Sequence, residues 1–141
     1  MIEKMKIKVL DEKCVPVVGT SGSAGFDLAI RERAIIHPHK TAKIGCGICF
    51  QIPPGYVGKI EPRSSTFNKG LEISGVIDSD YRGEASIVMC NTTNQSIVVD
   101  KYSFPAQLLI LKKETPDLVI VDELDETERG DKGFGSTGRN A

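Results

Sequence analysis

The stretch "GVIDSDYRGEASIVM", residues 75–89, decides how the chain is to be read. Apolar Val76 and Ile77 lead into an Asp-Ser-Asp turn, Tyr81 follows, and beyond Gly83 the alternation of "ASIVM" restarts a strand. This is the pattern of a hairpin, and it extends outward on both sides. "KIKV" at 6–9, "KIGCGICFQI" at 43–52 and "SIVVD" at 96–100 read as strands, as do the apolar runs "QLLIL" at 107–111 and "LVIV" at 118–121. The turn clusters "GTSGSAG", "HPHK", "IPPGYVG" and "TTNQ" fall between them at intervals expected of an all-β sandwich or barrel. Helical character is confined to one short turn around "SSTFNKG", 64–70.

Composition agrees with one β-rich core. The chain has 141 residues, 40% of them hydrophobic, with 14 glycines and 7 prolines to supply turns. A net charge of −1 provides no overall field toward nucleic acid or a membrane surface, so an anionic ligand would need local arginines or a metal ion. The opening "MIEKMKIKVLDEKC" alternates charged and apolar residues where a signal peptide needs an unbroken apolar run, and no segment has the length of a membrane span. The expected location is the cytoplasm, or the nucleus in a eukaryotic or viral setting.

Cys14, Cys46, Cys49 and Cys90, with His37 and His39, raise the question of zinc. A tetrahedral site needs convergent ligands, whereas a strand over "KIGCGICFQI" sends residues three apart to opposite faces. The cysteines therefore read as buried or half-buried thiols, "HPH" as an exposed turn, and disulfides are not expected without a secretory signal. After Val121 the chain becomes acidic, "DELDETE", and then glycine-rich, "RGDKGFGSTGRNA". Residues 1–121 are thus expected to form the β domain and residues 122–141 a flexible arm.

Several segments carry chemistry. Asp78, at the hairpin, is suited to accept a proton from water, and Tyr81 offers a flat face to a sugar or base; the structural alternative is a turn in which Asp78 bonds nearby amides. Backbone groups of the open hairpin can pair with a base edge. Arg63, Ser64 and Ser65 are anion-binding groups at the entrance to the helical turn, unless a serine merely caps it. Asp27 lies between strand-forming residues, where an inward carboxylate needs a partner or a metal. The ending lacks the lysine followed by Ser/Thr of a P-loop and has no room for the helix after it. Its "RGD" tripeptide, 129–131, is too short a match to an adhesion motif to carry weight.

The order of these segments says more than any one of them. "AGFDL", "PRSS", "GVIDSDYRG", "AQLLI" and "RGDKGFGSTG", from Ala24 to Gly138, resemble the five motifs of the trimeric dUTP diphosphatases, the dUTPases. The resemblance implies a jelly-roll-like β fold, a homotrimer with intersubunit active sites, and Mg²⁺-dependent hydrolysis of dUTP to dUMP and pyrophosphate. That reaction limits uracil incorporation into DNA and supplies dUMP for dTMP synthesis. Carried onto matching positions, Asp78 activates the attacking water, while Gly75, Val76 and Ile77 read uracil and Tyr81 packs against the deoxyribose. Arg63, Ser64, Ser65 and Gln107 hold phosphates, and Asp27 reaches magnesium through water. In the arm, Arg129, Ser136 and Thr137 clasp the terminal phosphate, Gly135 permits close approach, and Phe134 stacks over the base.

Two departures stand out. Many relatives have an arginine three residues before the fourth-motif glutamine, where this chain has Phe104 followed by Pro105, and Ser65 stands where many have glycine. A dCTP deaminase would share the fold and a "PRSS"-like segment, but Val88 stands near the position of its glutamate base. A regulatory module that binds nucleotide or a protein partner without turnover is the other alternative.

Overall fold

The computed structural model describes Ile2, residues 4–135 and Gly138. Its strands are β1 (Lys6–Val9), β2 (Phe26–Leu28), β3 (Ala34–Ile36), β4 (Thr41–Gln51), β5 (Tyr56–Pro62), β6 (Leu71–Ile77), β7 (Glu84–Asn91), β8 (Ile97–Val99) and β9 (Ala106–Lys112). One short helix, α1 (Ser64–Asn68), joins β5 to β6, and a 3-10 turn covers Glu12–Cys14. A seven-stranded sheet runs in the order β1-β4-β7-β6-β5-β9-β2, and β3 pairs with β8 in a second, small sheet. The strand pairs are antiparallel throughout. This is the jelly-roll-like β architecture expected.

The hairpin forms as its alternation dictates. In β6 Leu71, Ile73 and Ile77 point inward while Glu72, Ser74 and Val76 face out, and in β7 Ala85, Ile87 and Met89 are buried. These side chains meet Leu28, Ile30, Ile48, Ile60 and Leu108 in one core cluster. Each fully buried residue of this size contributes about 1.5–3 kcal/mol. Asn91, fully buried, ties the small sheet to the large one: its Nδ2 donates to Ile36 O (2.9 Å) and Gln95 O (2.7 Å).

Strand β4 is irregular. Its register against β7 passes from Gly45↔Ser86 to Cys49↔Glu84, so four steps along β4 face two along β7. Gly47, inside this bulge, has φ +67°, a left-handed conformation that favours glycine. Cys46 is fully buried there, and burial pushes its thiol up to about 12, while Cys49 is half-buried.

Three expectations are corrected. "LVIV" at 118–121 forms no strand: Leu118 and Ile120 are 92% and 98% exposed, because strand-forming residues without an edge to pair with have no reason to order as one. Within "IPPGYVG" the reversal is tighter than a whole turn cluster. Gly55 (φ +87°) completes it, Tyr56 N–H donates to Pro53 O, and β5 begins at Tyr56. The serines do not cap α1; its N-cap residue is Arg63, with no side-chain capping bond.

Candidate active site

The hairpin borders a cavity of about 220 Å³ lined by Lys43, Ile60, Gly75, Val76, Ile77, Asp78, Tyr81, Glu84, Ala85 and Ser86. Antiparallel pairing puts Ile60 opposite Gly75 and Gly58 opposite Ile77. A Cβ at Gly75 would come within 3.1 Å of Ile60 Cδ1, so a larger residue there would push that side chain aside by a few tenths of an ångström. The turn is closed by its own backbone and by Arg82: Tyr81 N–H donates to Asp78 O (3.1 Å), and Arg82 Nη1 donates to Ser79 O (2.6 Å) and Tyr81 O (3.2 Å). Asp78 thus lends the turn its carbonyl. Its exposed carboxylate has no hydrogen-bond or ion-pair partner among the described residues. The Tyr81 hydroxyl donates to Glu84 O (3.0 Å), which pins the ring over Gly83 at the cavity rim.

A second cavity, of about 450 Å³, gathers Gly19, Ser23, Ala24, Gly25, Asp27, Arg63, Ser64, Ser65 and Gln107. Here β9 is the organiser. Gln107 lies opposite both Asp27 of β2 and Glu61 of β5, and its Nε2 donates to Pro62 O (3.2 Å). A Cβ at Gly25 would collide with the Leu108 backbone, so only glycine lets the first motif run this close to β9. Arg63 Nε sits 3.4 Å from Asp27 Oδ1, with side chains 42% and 21% exposed. At that exposure the pair orients the guanidinium more than it stabilises the fold.

The departed fourth motif has a definite structure. Two successive carbonyls face α1: Phe104 O accepts from Arg63 Nη1 (3.0 Å), and Pro105 O accepts from Arg63 N–H (3.0 Å) and the buried Thr66 hydroxyl (2.7 Å). Backbone oxygens of this segment therefore hold Arg63.

The two cavities share no lining residue. Asp78 follows Ile77, which pairs with Gly58 near one end of β5, whereas Gln107 and Arg63 gather at the Pro62 end. Four residues of strand separate these points by about 13 Å. Sequence reasoning assembled all of these residues around one substrate; the single chain does not. Arg129, Phe134 and Gly135 line neither cavity, and Phe134 is fully exposed. Ser136 and Thr137 lie outside the described residues. Lys43 and Glu84, which line the smaller cavity, were missed, since no motif spacing marks them; the glutamate directly after "YRG" was the available signal.

The donor set fits a hard divalent cation held through its hydration shell. Asp27 brings one half-buried carboxylate, and the described residues hold no group of three or more His, Cys, Asp or Glu placed to cage a metal. Mg²⁺ commonly binds in this manner, retaining waters and taking its remaining ligands from substrate phosphates.

A cleft at the hairpin beside an unengaged carboxylate, with a separate guanidinium and hydroxyl cluster, provides the groups a nucleotide-processing β protein requires. The chain belongs to the dUTPase family, whose model matches residues 11–138. It is 43% identical to the deoxyuridine 5'-triphosphate nucleotidohydrolase of Orientia tsutsugamushi (strain Ikeda), over 96% of this chain and 98% of that one. The enzyme of the same name from Paramecium bursaria Chlorella virus 1 is 38% identical over 93% and 94%. Among solved structures, the Staphylococcus bacteriophage 80alpha dUTPase with dUPNHPP superposes with a TM-score of 0.88 at 28% identity, covering 96% of this chain and 98% of that chain.

Proposed function

We propose that the chain is a dUTP diphosphatase, hydrolysing dUTP to dUMP and pyrophosphate, and that Asp78 is its general base. The observation that carries this reading is the unengaged Asp78 carboxylate beside a base-sized cleft in a chain of the dUTPase family. Water is a poor nucleophile near neutral pH; a fixed carboxylate that takes its proton contributes roughly 10²–10⁴ in rate. The water oxygen bonds to the α-phosphorus as the bond to the bridging oxygen breaks, and pyrophosphate leaves. Backbone at Gly75, Val76 and Ile77 pairs with the uracil edge, and Tyr81 occupies the space a ribose 2′-hydroxyl would need. Arg63, Ser64, Ser65 and Gln107 hold the phosphates. When bound, Mg²⁺ neutralises triphosphate charge, with Asp27 its protein-side anchor through water. Residues 122–141 act as an arm that closes over the substrate: Arg129, Ser136 and Thr137 on the terminal phosphate, Phe134 on the base, Gly135 allowing close approach.

A general base and the phosphates it serves must converge on one phosphorus, yet β5 holds them apart. Joining them takes more than one copy, and the working unit we infer is the homotrimer that the dUTPase motifs imply, one copy supplying the Asp78 cleft and another the Arg63 cluster. We place it in the cytoplasm, or in the nucleus in a eukaryotic or viral setting. No helix among the described residues is long and apolar enough to cross a membrane. Deamination of dCTP is disfavoured because Val88 stands near the position of the deaminase base and lines a different cavity from Asp78. Product analysis with dUTP, dCTP and UTP, each with and without Mg²⁺, tests the reading. Pyrophosphate from dUTP alone is expected; ammonia from dCTP would overturn it, and binding without any turnover would leave a regulatory module in its place.

A further inference from the structure

Glu84 opens β7 immediately after the hairpin turn and lines the Asp78 cleft. Its carboxylate is committed on both sides: Oε1 accepts from Arg31 Nη2 at 2.8 Å, and Oε2 accepts from Gly47 N–H at 2.8 Å. The second bond satisfies an amide inside the β4 bulge, and a Cβ at Gly45 would collide with the same carboxylate. Arg31 N–H in turn donates to Gly45 O at 3.1 Å, so the bulge, Arg31 and Glu84 form one closed unit. Through its backbone carbonyl the same residue accepts the Tyr81 hydroxyl at 3.0 Å. Glu84 thus joins the Tyr81 ring to the β4 bulge.

We propose that Glu84 is a specificity-determining positioning residue, locking the carbonyl to which Tyr81 donates and so holding the ring where it excludes a 2′-hydroxyl. The bulge is the anchor: a carboxylate seated in it fixes the first residue of β7, and that residue fixes Tyr81. This rests on the reading of Tyr81 as the sugar filter, which the test addresses separately.

The measurement is the ratio of kcat/KM for dUTP to that for UTP, in the full-length protein and in its Glu84→Ala, Glu84→Gln and Tyr81→Ala variants. A ratio is independent of how much of a preparation is correctly folded, so general destabilisation does not move it. Glu84→Ala is expected to lower the ratio about tenfold, the scale on which a loosened pocket admits an added hydroxyl. Glu84→Gln keeps one acceptor for the bulge amide and is expected to fall between Glu84→Ala and the parent; if Glu84→Ala does not fold, this variant carries the test. A relaxed ratio in Tyr81→Ala with parental ratios in both Glu84 variants would overturn the role of Glu84 alone. A parental ratio in Tyr81→Ala would remove the sugar filter, and the role of Glu84 with it.

Discussion

At the scale of single residues, what separates Asp78 from its neighbours is how little it does for the fold. The turn is closed by backbone and by Arg82, so replacing the carboxylate with its amide costs no structural contact. Asp78→Asn is expected to keep its melting temperature and bind a non-hydrolysable dUTP analogue normally while kcat drops by roughly 10²–10⁴. Turnover within a few-fold of the parent would remove Asp78 from the role of base. Cys46 shows the opposite condition, a group spent entirely on burial. Its thiol, pushed up to about 12 from 9.0, stays protonated in the folded chain while the unfolded thiol ionises. Its contribution is therefore unchanged below pH 9.0, and stability is lost as pH rises from there toward about 12. Thiol labelling near pH 8 should reach Cys49 in the native protein and Cys46 only on unfolding; early labelling of Cys46 would show that the bulge opens.

Among the elements, α1 is too short to stand alone and is held by what it touches. The Thr66 hydroxyl on Pro105 O is its buried anchor. Thr66→Val, which keeps the shape and removes the donor, should cost about 0.5–1.5 kcal/mol, the net value of one hydrogen bond, because Pro105 O keeps its bond from Arg63 N–H. It should also weaken triphosphate binding more than dUMP binding, since Arg63 shares the anchor; Thr66→Ser should restore both. Equal losses for dUTP and dUMP would limit the contact to stability.

The hairpin, β4, β9 and α1 were legible in the sequence because each carries its own local period or turn chemistry. Strand β8 was legible too, within "SIVVD", but its partner β3 was not: three residues long, it exists because Ala34–Ile36 and Ile97–Val99 find each other across some sixty positions of chain. The five-motif order revealed which residues to assemble but not where β5 would hold them. Glu84 escaped notice for a related reason, since its partners Arg31 and Gly47 lie 53 and 37 residues away and are brought near only by the bulge.

For the whole molecule, the separation of the two cavities along β5 makes a prediction that no single-chain enzyme shares. Asp78→Asn and Arg63→Ala variants should each be nearly inactive alone. Denatured, mixed and refolded together in equal amounts, they should regain roughly a quarter of parental activity, because random assembly pairs intact halves at that frequency when each half comes from a different copy. A mixture no more active than its parts would place both halves in one subunit. Removing residues 129–141 should leave assembly and melting temperature intact while turnover collapses; loss of assembly would give the arm a structural role.

The exposed run from Leu118 to Val121 bears on how such a molecule comes into being. Four strand-forming side chains in succession, pairing with no edge among the described residues, are unfinished structure on an otherwise completed domain. If a neighbouring copy completes them, maturation has two clocks: a concentration-independent one for the β body and a second-order one for encounter. Newly made chains would then pass through a folded but inactive interval whose length shortens as their number rises, so that activity lags abundance most when the protein is scarce.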